Sequence, residues 1–541
     1  MNSKQNNIEP FLGESPSEYA DRLGIFYSTT VTEEYKKEVG QYFTPLNVSR
    51  FMSKYSKVTT DRVKILDPGC GIGILSAALA EELILKNRNI RTIELVAFET
   101  DADILKYSER CFEYLRKWLN EKGIEFTVFL CKNDFILHNS LILNNQDNLY
   151  EFYDIIISNP PYFKLPKGDI RSQIAKSVIF GQTNIYTIFL SIAAKLLKPQ
   201  GQLIFITPRS FCSGNYFRLF RETFFMIVDI KSIHIFNSRK DTFKRDKVLQ
   251  ENIIITADRK SSDKSSSIKQ NTIEYFTTIS SSSGMEDIEY RRIKEFRITE
   301  LINFDSHQKN LYLPSSTIDE EVIKIFKTWT GSLSRYNLEI STGPVVGFRS
   351  ENMIKIKNDK NTVPLLWLHN VESMKLIWPH DIGYKGKPKG QYIVNNEESF
   401  SRLVKNRNYV LLRRFSSKDD KRRLVASPYL CASLNDFTML GLENHLNYIY
   451  HKQNKFSSAQ IYGIATLLNS RLFDLYFRTF NGNINVSATE LRDFPLPDMV
   501  LIEKLGAKII AIQEKKRNYD IDILVSKIFN LSIDLSQAYG K

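Results

Sequence analysis

The 541-residue chain is poor in cysteine. Five are present, at 70, 111, 131, 212 and 431, and no pair has Cys-x-x-Cys spacing. That odd set suggests neither a disulfide framework nor a zinc site, and no metal is expected. No run of about 18 apolar residues appears, so no membrane-spanning helix is expected. The opening residues (MNSKQNNIEP) lack a basic-then-apolar signal, which predicts a cytoplasmic protein. No internal repeat is visible. Acidic residues are in the minority. There are 61 against 74 basic ones, giving a net charge of +13 and a sequence pI of about 9.2. A surplus of this sign favours a polyanionic partner, such as nucleic acid or an anionic membrane face, over the plainer reading of solubility alone. The imbalance is uneven: residues 1–300 carry a net +4 and residues 301–541 a net +9. The second half is therefore the better candidate for gripping phosphates.

What is present is the composition of a globular protein, 42 % hydrophobic and 25 % charged, on a chain long enough for two or three domains. Residues 1–60 read as helix and loop. Short apolar strands at 63–66, 93–98, 125–130, 154–158, 203–207 and 252–257 then alternate with helical spacing at 74–85, 103–119 and 186–197. Nearly all-apolar strands alternating with helices predict a parallel sheet covered on both faces. The Ser-rich stretches 261–267 and 280–284 read as linkers or loops, and the domain junction is placed near 260–300. Beyond it, short strands, aromatic residues and basic clusters mix without regular alternation.

Four motifs carry chemistry. Asp67-Pro68-Gly69-Cys70-Gly71-Ile72-Gly73 follows the first strand and opens a helix. Its glycines permit a tight turn and close approach of a ligand. Asp67 would repel a phosphate there, so a cationic or zwitterionic ligand fits better. Glu99, at the end of the next strand, can accept hydrogen bonds from both hydroxyls of a ribose. Asp134 can accept from the amine of an adenine, and Phe135 can cover its ring face. The fourth motif decides the reading. The strand 154–158 ends in Asn159-Pro160-Pro161-Tyr162. Two prolines exclude regular helix and fix the backbone. The Asn159 side-chain oxygen and the Pro160 carbonyl are two acceptors for one planar NH₂ group. Held so, an aromatic amine is favoured in its pyramidal, more nucleophilic state. Tyr162 supplies a face for stacking a ring.

In this order the motifs resemble the S-adenosylmethionine-dependent methyltransferases. Gly40-Gln41-Tyr42-Phe43-Thr44-Pro45, with Val48 to Met52, resembles the segment closing over the methionine end of the cofactor in N6-adenine DNA methyltransferases. The order of segments is similar to the gamma class, which includes modification methylases of type II restriction systems. Leu467 to Phe473, Asn485-Val486-Ser487 and Leu491 to Pro497 resemble the closing part of the recognition domain. The resemblance implies a Rossmann-like α/β catalytic domain with a mostly parallel sheet over 1–270. It further implies a mixed α+β target-recognition domain over 300–541. S-adenosylmethionine would be the cofactor, held by Thr44, Pro45, Asp67, Gly69 and Gly71 at its methionine end. Glu99 would hold the ribose, and Asp134 and Phe135 the adenine. Asn159, Pro160 and Tyr162 would receive the target adenine. Phe243, with Phe236 as rival, would sandwich the base from the other side.

An adenine amine inside a duplex is not accessible to in-line attack, so the base must be flipped out. The implied partners are double-stranded DNA and a cognate restriction endonuclease, with the methylase itself a monomer. Transfer to an RNA adenine or a protein glutamine is the alternative, and a non-catalytic DNA-binding subunit or a fused nuclease are more distant ones. A cytosine-C5 enzyme is disfavoured, since the chain has no Pro-Cys dipeptide. Arg413, Arg414, Arg422 and Arg423 form the densest cationic cluster and are expected to touch phosphates, against the reading of a solvated loop. Arg349, after Phe348, and the segment 481–485 are further candidates for groove contact.

Overall fold

The structure is a computed structural model. It describes residues 8–535 apart from 33, 36–42, 145–151, 167, 182–183, 238–250, 262–274, 285, 381–389, 418–419 and 534. The chain forms two compact units, Met1–Ser315 and Ser316–Lys541.

The first unit is built on one nine-stranded sheet. Its strands are β1 (Arg62–Pro68), β2 (Thr92–Phe98), β3 (Glu125–Cys131), β4 (Tyr153–Ser158), β5 (Leu197–Pro208), β6 (Val228–Phe236), β7 (Asn252–Arg259), β8 (Phe276–Ser282) and β9 (Arg292–Arg297). They lie in the order β3-β2-β1-β4-β5-β7-β6-β8-β9. The first five in that order are mutually parallel. β7 runs antiparallel to both β5 and β6, while β8 returns parallel to β6.

The strands are apolar throughout because the sheet is covered twice. In β4, Ile155 and Ile157 pack into one core and Ile156 into the other. The first core is made with α1 (Pro16–Ser28), α2 (Leu46–Ser53), α3 (Ile74–Lys86) and α4 (Ala102–Asn120). The second is made with α5 (Ile185–Leu196) and α6 (Arg218–Ile227). Three successive isoleucines are thus all buried, as period-two geometry requires of a central strand. Helix α4 shows the complementary pattern. Asp101 caps it, accepting from Asp103 N and Ile104 N. Ile104, Ser108, Cys111, Phe112, Leu115 and Leu119 then line its buried face.

Three expectations need correction. The first unit runs to Ser315, not to residue 270, because β8 and β9 extend its sheet. Ser280–Ser282 are not linker but the buried end of β8. Small hydroxylated side chains fit there because His234 on β6 is buried opposite, its Nδ1 and Nε2 bonded to Ser280 and Ser282 at 2.9 and 3.1 Å. Helix α5 ends at Leu196, so Leu197 opens β5 instead of closing the helix.

The second unit mixes strands and helices, as the irregular sequence predicts. A four-stranded antiparallel sheet (Leu338–Thr342, Leu446–His451, Tyr409–Arg413, Ala426–Tyr429) stands beside a five-stranded one. Helices Ser458–Asn469 and Met499–Glu514 cross at two glycines. A Cβ on Gly506 would lie 1.8 Å from the Ala459 carbonyl oxygen, so only glycine lets these backbones meet. No described helix is long and apolar enough to cross a membrane.

Candidate active site

The strand order reverses at β1, whose neighbours β2 and β4 lead in opposite directions. Open α/β sheets bind ligands outside the carboxyl ends of strands at such a point. Here the Asp67–Gly73 loop leaves β1 and the Asn159 segment leaves β4. They are tied together by Ser158, whose hydroxyl donates to the Pro68 carbonyl at 2.5 Å. A cavity of about 480 Å³ opens between them.

The glycine loop has the backbone its sequence predicts. Gly69, Gly71 and Gly73 have φ of 75°, 55° and 94°. At Gly73 the requirement is double, since a Cβ would also meet the Phe112 ring at 2.6 Å. Cys70 N donates to Phe98 O at 2.8 Å, docking the loop on β2. Asp67 is wholly buried. Its Oδ2 accepts from the Ser76 hydroxyl at 2.6 Å, while Oδ1 has no partner. Burial pushes its pKa up to about 7. A buried carboxylate with one unused oxygen suits a cationic group.

Glu99 lies beside this loop. Its Oε2 accepts from Gly71 N at 3.1 Å, and its Oε1 from Thr100 N and Asp101 N at 2.7 and 2.9 Å. Desolvation raises its pKa, and these three N–H groups oppose the shift. Asp134 caps the short helix Phe135–His138, its Oδ1 accepting from Ile136 N and Leu137 N. Phe135 is buried against Phe98 and Phe189. Glu99, Asp134, Phe135, Gly69 and Gly71 all line the cavity.

At the β4 side, Asn159, Pro160 and Pro161 line the same cavity. The Asn159 Nδ2 donates to Thr44 Oγ1 at 3.1 Å, and its Oδ1 accepts from the Tyr162 hydroxyl. That hydroxyl also lies 2.9 Å from the Ile206 carbonyl oxygen. Thr44 and Pro45 are buried, with Pro45 at the start of α2. Thr44 therefore meets the site through Asn159. Tyr162 is buried with its ring edge-on to Tyr186, while the adjacent Phe163 lines the cavity. Gly40, Gln41 and Tyr42 lie outside the described residues, as does Phe243. The rival Phe236 is buried in the sheet, packed on His234. Sequence reasoning missed Phe43, Asp101, Phe163, Arg171 and Phe189 in the lining. Phe43 stood inside a motif already noted. Phe163 directly follows the Asn-Pro-Pro-Tyr motif, and the others have no local signal, since apolar and charged residues at such spacing are common.

The basic cluster of the second unit fares differently. Arg423 is not a phosphate ligand: it is 1 % exposed. Its Nε donates to Ser416 Oγ, its Nη2 to the Asn483 carbonyl, and its backbone N to Asp474. It holds a buried polar network, which a dense cationic run cannot reveal. Arg422 pairs with Asp522 at 2.5 Å. Arg413 donates to Val371 O and Arg414 to Asn444 O, at 2.7 and 2.9 Å. Of the predicted set, Arg349 is exposed, beside an exposed Phe348.

Residues 80–243 match the Eco57I restriction-modification methylase family. The chain is 32 % identical to Type II methyltransferase M.BsuBI of Bacillus subtilis, over 90 % of this chain and 93 % of that protein. The chain belongs to the Type II methyltransferases. M.PstI of Providencia stuartii is 29 % identical over 89 % of this chain and 91 % of that one. A shorter likeness, 30 % over 27 % of this chain and 51 % of the other, is to a tRNA1(Val) (adenine(37)-N6)-methyltransferase of Tolumonas auensis. As a Type II methyltransferase the enzyme methylates specific DNA sequences within a restriction–modification system, with S-adenosylmethionine as donor. The unpartnered Asp67 oxygen, the glycine turn and the acid-lined cavity fit that cationic cofactor.

Proposed function

We propose that the enzyme methylates the N6 amine of adenine in a specific duplex sequence, with the base turned out of the helix. The observation that carries this is the setting of Asn159. Its amide is held at the carboxyl end of β4 by Thr44 on one side and Tyr162 on the other. Its side-chain oxygen, which accepts from Tyr162, is also the acceptor for a target amine in this reading. The Pro160 carbonyl accepts the second amine hydrogen. Both acceptors are preorganised, because prolines fix the backbone that follows Asn159.

The remaining roles combine the cavity lining with the buried residues behind it. Gly69 and Gly71, backed by the buried Asp67, receive the methionine end, and Thr44 and Pro45 support it from the segment that leads into α2. Glu99 takes the ribose hydroxyls, and Asp134 and Phe135 take the adenine. Bound there, S-adenosylmethionine supplies an electrophilic methyl group on a sulfonium. Asn159 and Pro160 hold the acceptor nitrogen with its lone pair free, and water takes the released proton. Tyr162, buried behind the cavity, orients Asn159 through its hydroxyl, and Phe163 in the lining offers its ring to the base. Residues 316–541 read the target sequence, and the enzyme acts as a monomer beside an endonuclease of the same specificity. The partial likeness to a relative named for adenine N6 supports an adenine acceptor.

Incubation with labelled S-adenosylmethionine and plasmid DNA, followed by digestion to nucleosides, tests this. Label is expected in N6-methyladenine. Label in cytosine, or only in RNA or protein, overturns it.

A further inference from the structure

The cavity lining carries three carboxylates, Glu99, Asp101 and Asp134, and among its described residues one cation, Arg171. Arg171 lies in the short helix Ile170–Ile174, past the loop that leaves Asn159–Phe163. Its Nε and Nη2 grip the two oxygens of Asp169 at 2.9 and 2.6 Å, a planar fork on a carboxylate. Asp169 is 12 % exposed and also accepts from Arg171 N. The guanidinium is thereby fixed by its own neighbour. Its third nitrogen, Nη1, reaches Asp134 Oδ2 at 3.4 Å. The guanidinium carbon stands 5.9 Å from the centre of the Phe163 ring.

Asp134 divides its two oxygens. Oδ1 is committed to the N–H groups of Ile136 and Leu137. Oδ2 has Arg171 on one side and remains able to accept one further donor. We propose that Arg171 is a positioning residue for the nucleobase end of the cofactor, acting through Asp134 to select a base that carries an exocyclic amine. A carboxylate pinned in charge and rotamer accepts from an amine and repels a keto oxygen. Without Arg171, Oδ2 loses the cation that holds it, and the selection weakens. This rests on the cofactor reading above.

Equilibrium binding of S-adenosylhomocysteine and S-inosylhomocysteine tests it, since the second carries a keto group in place of the amine. The wild-type enzyme is expected to prefer the adenosyl ligand by about 10-fold or more, as for a hydrogen bond to a charged group. In Arg171→Ala that ratio is expected to fall most of the way to unity. In methyl transfer the loss is expected in KM for the cofactor more than in kcat. Arg171→Lys keeps the charge without the fork and is expected to restore part of the ratio. Equal weakening of both ligands in Arg171→Ala, or no wild-type preference between them, overturns the proposal. A wild-type enzyme that binds neither ligand overturns the cofactor reading itself.

Discussion

Asp67 is buried with an unused oxygen and a pKa near 7, so much of its population is protonated in slightly acidic solution. A protonated acid cannot pair with an ammonium group. On the proposed role of Asp67 as partner of the cofactor's amine, binding favours the ionised form and a proton leaves. Affinity is then expected to be full well above pH 7 and to fall as pH drops through it, because desolvation has raised this carboxylate above its ordinary value. Titration calorimetry at pH 6 in buffers of different ionisation enthalpy is expected to show release of up to about one proton. Asp67→Asn is expected to lose that component, and what remains reports on Glu99, also raised by burial. The role proposed for Asn159 concerns the other substrate. Asn159→Ala is expected to lower methyl transfer on the order of a thousandfold, as for loss of a preorganised polar group. S-adenosylhomocysteine binding should stay near the wild-type value, and loss of it would count against the role given to Asn159.

The strand–loop–helix element from β1 to α3 depends on one backbone conformation. Gly73→Ala forces a side chain into positive φ and onto the Phe112 ring. It is expected to destabilise the first unit by about 2 kcal/mol or more. A lowered urea midpoint with unchanged slope checks this. This element was legible because glycine and an apolar period announce it. Element β8 was not. Four serines in a row carry no strand signal, and the buried hydroxyls of Ser280 and Ser282 find their partner in His234 on β6. The pairing of β6 with β8 joins residues 46 apart in sequence, and local patterning cannot report it.

For the whole molecule, net charge survives the shift of domain boundary. Residues 301–315 hold one lysine and one aspartate, so the units still carry +4 and +9. How that surplus is deployed differs from what sequence order implies. Arg423 is buried as a structural cation, and Arg349 stands exposed. Two substitutions separate these roles. Arg349→Ala is expected to leave thermal unfolding unchanged and to reduce the salt slope of DNA binding by about 1. Arg423→Ala strips donors from Ser416 Oγ and the Asn483 carbonyl and is expected to destabilise the second unit by about 3 kcal/mol. An exposed Arg423 would show the reverse pattern in the same two measurements.

The amino-acid sequence by itself determined the alternating elements, the glycine turn after β1, and the Asn-Pro-Pro-Tyr end of β4. These are local: apolar period sets strand and helix, and glycine and proline set φ within a few residues. Tertiary structure alone decided which charges are spent inside the fold. It also decided that Tyr162 and Thr44 meet on Asn159, and that Arg171 reaches Asp134 across the cavity. Hydrogen bonds and burial depend on which distant segments come together, and that is fixed only when the sheet order is.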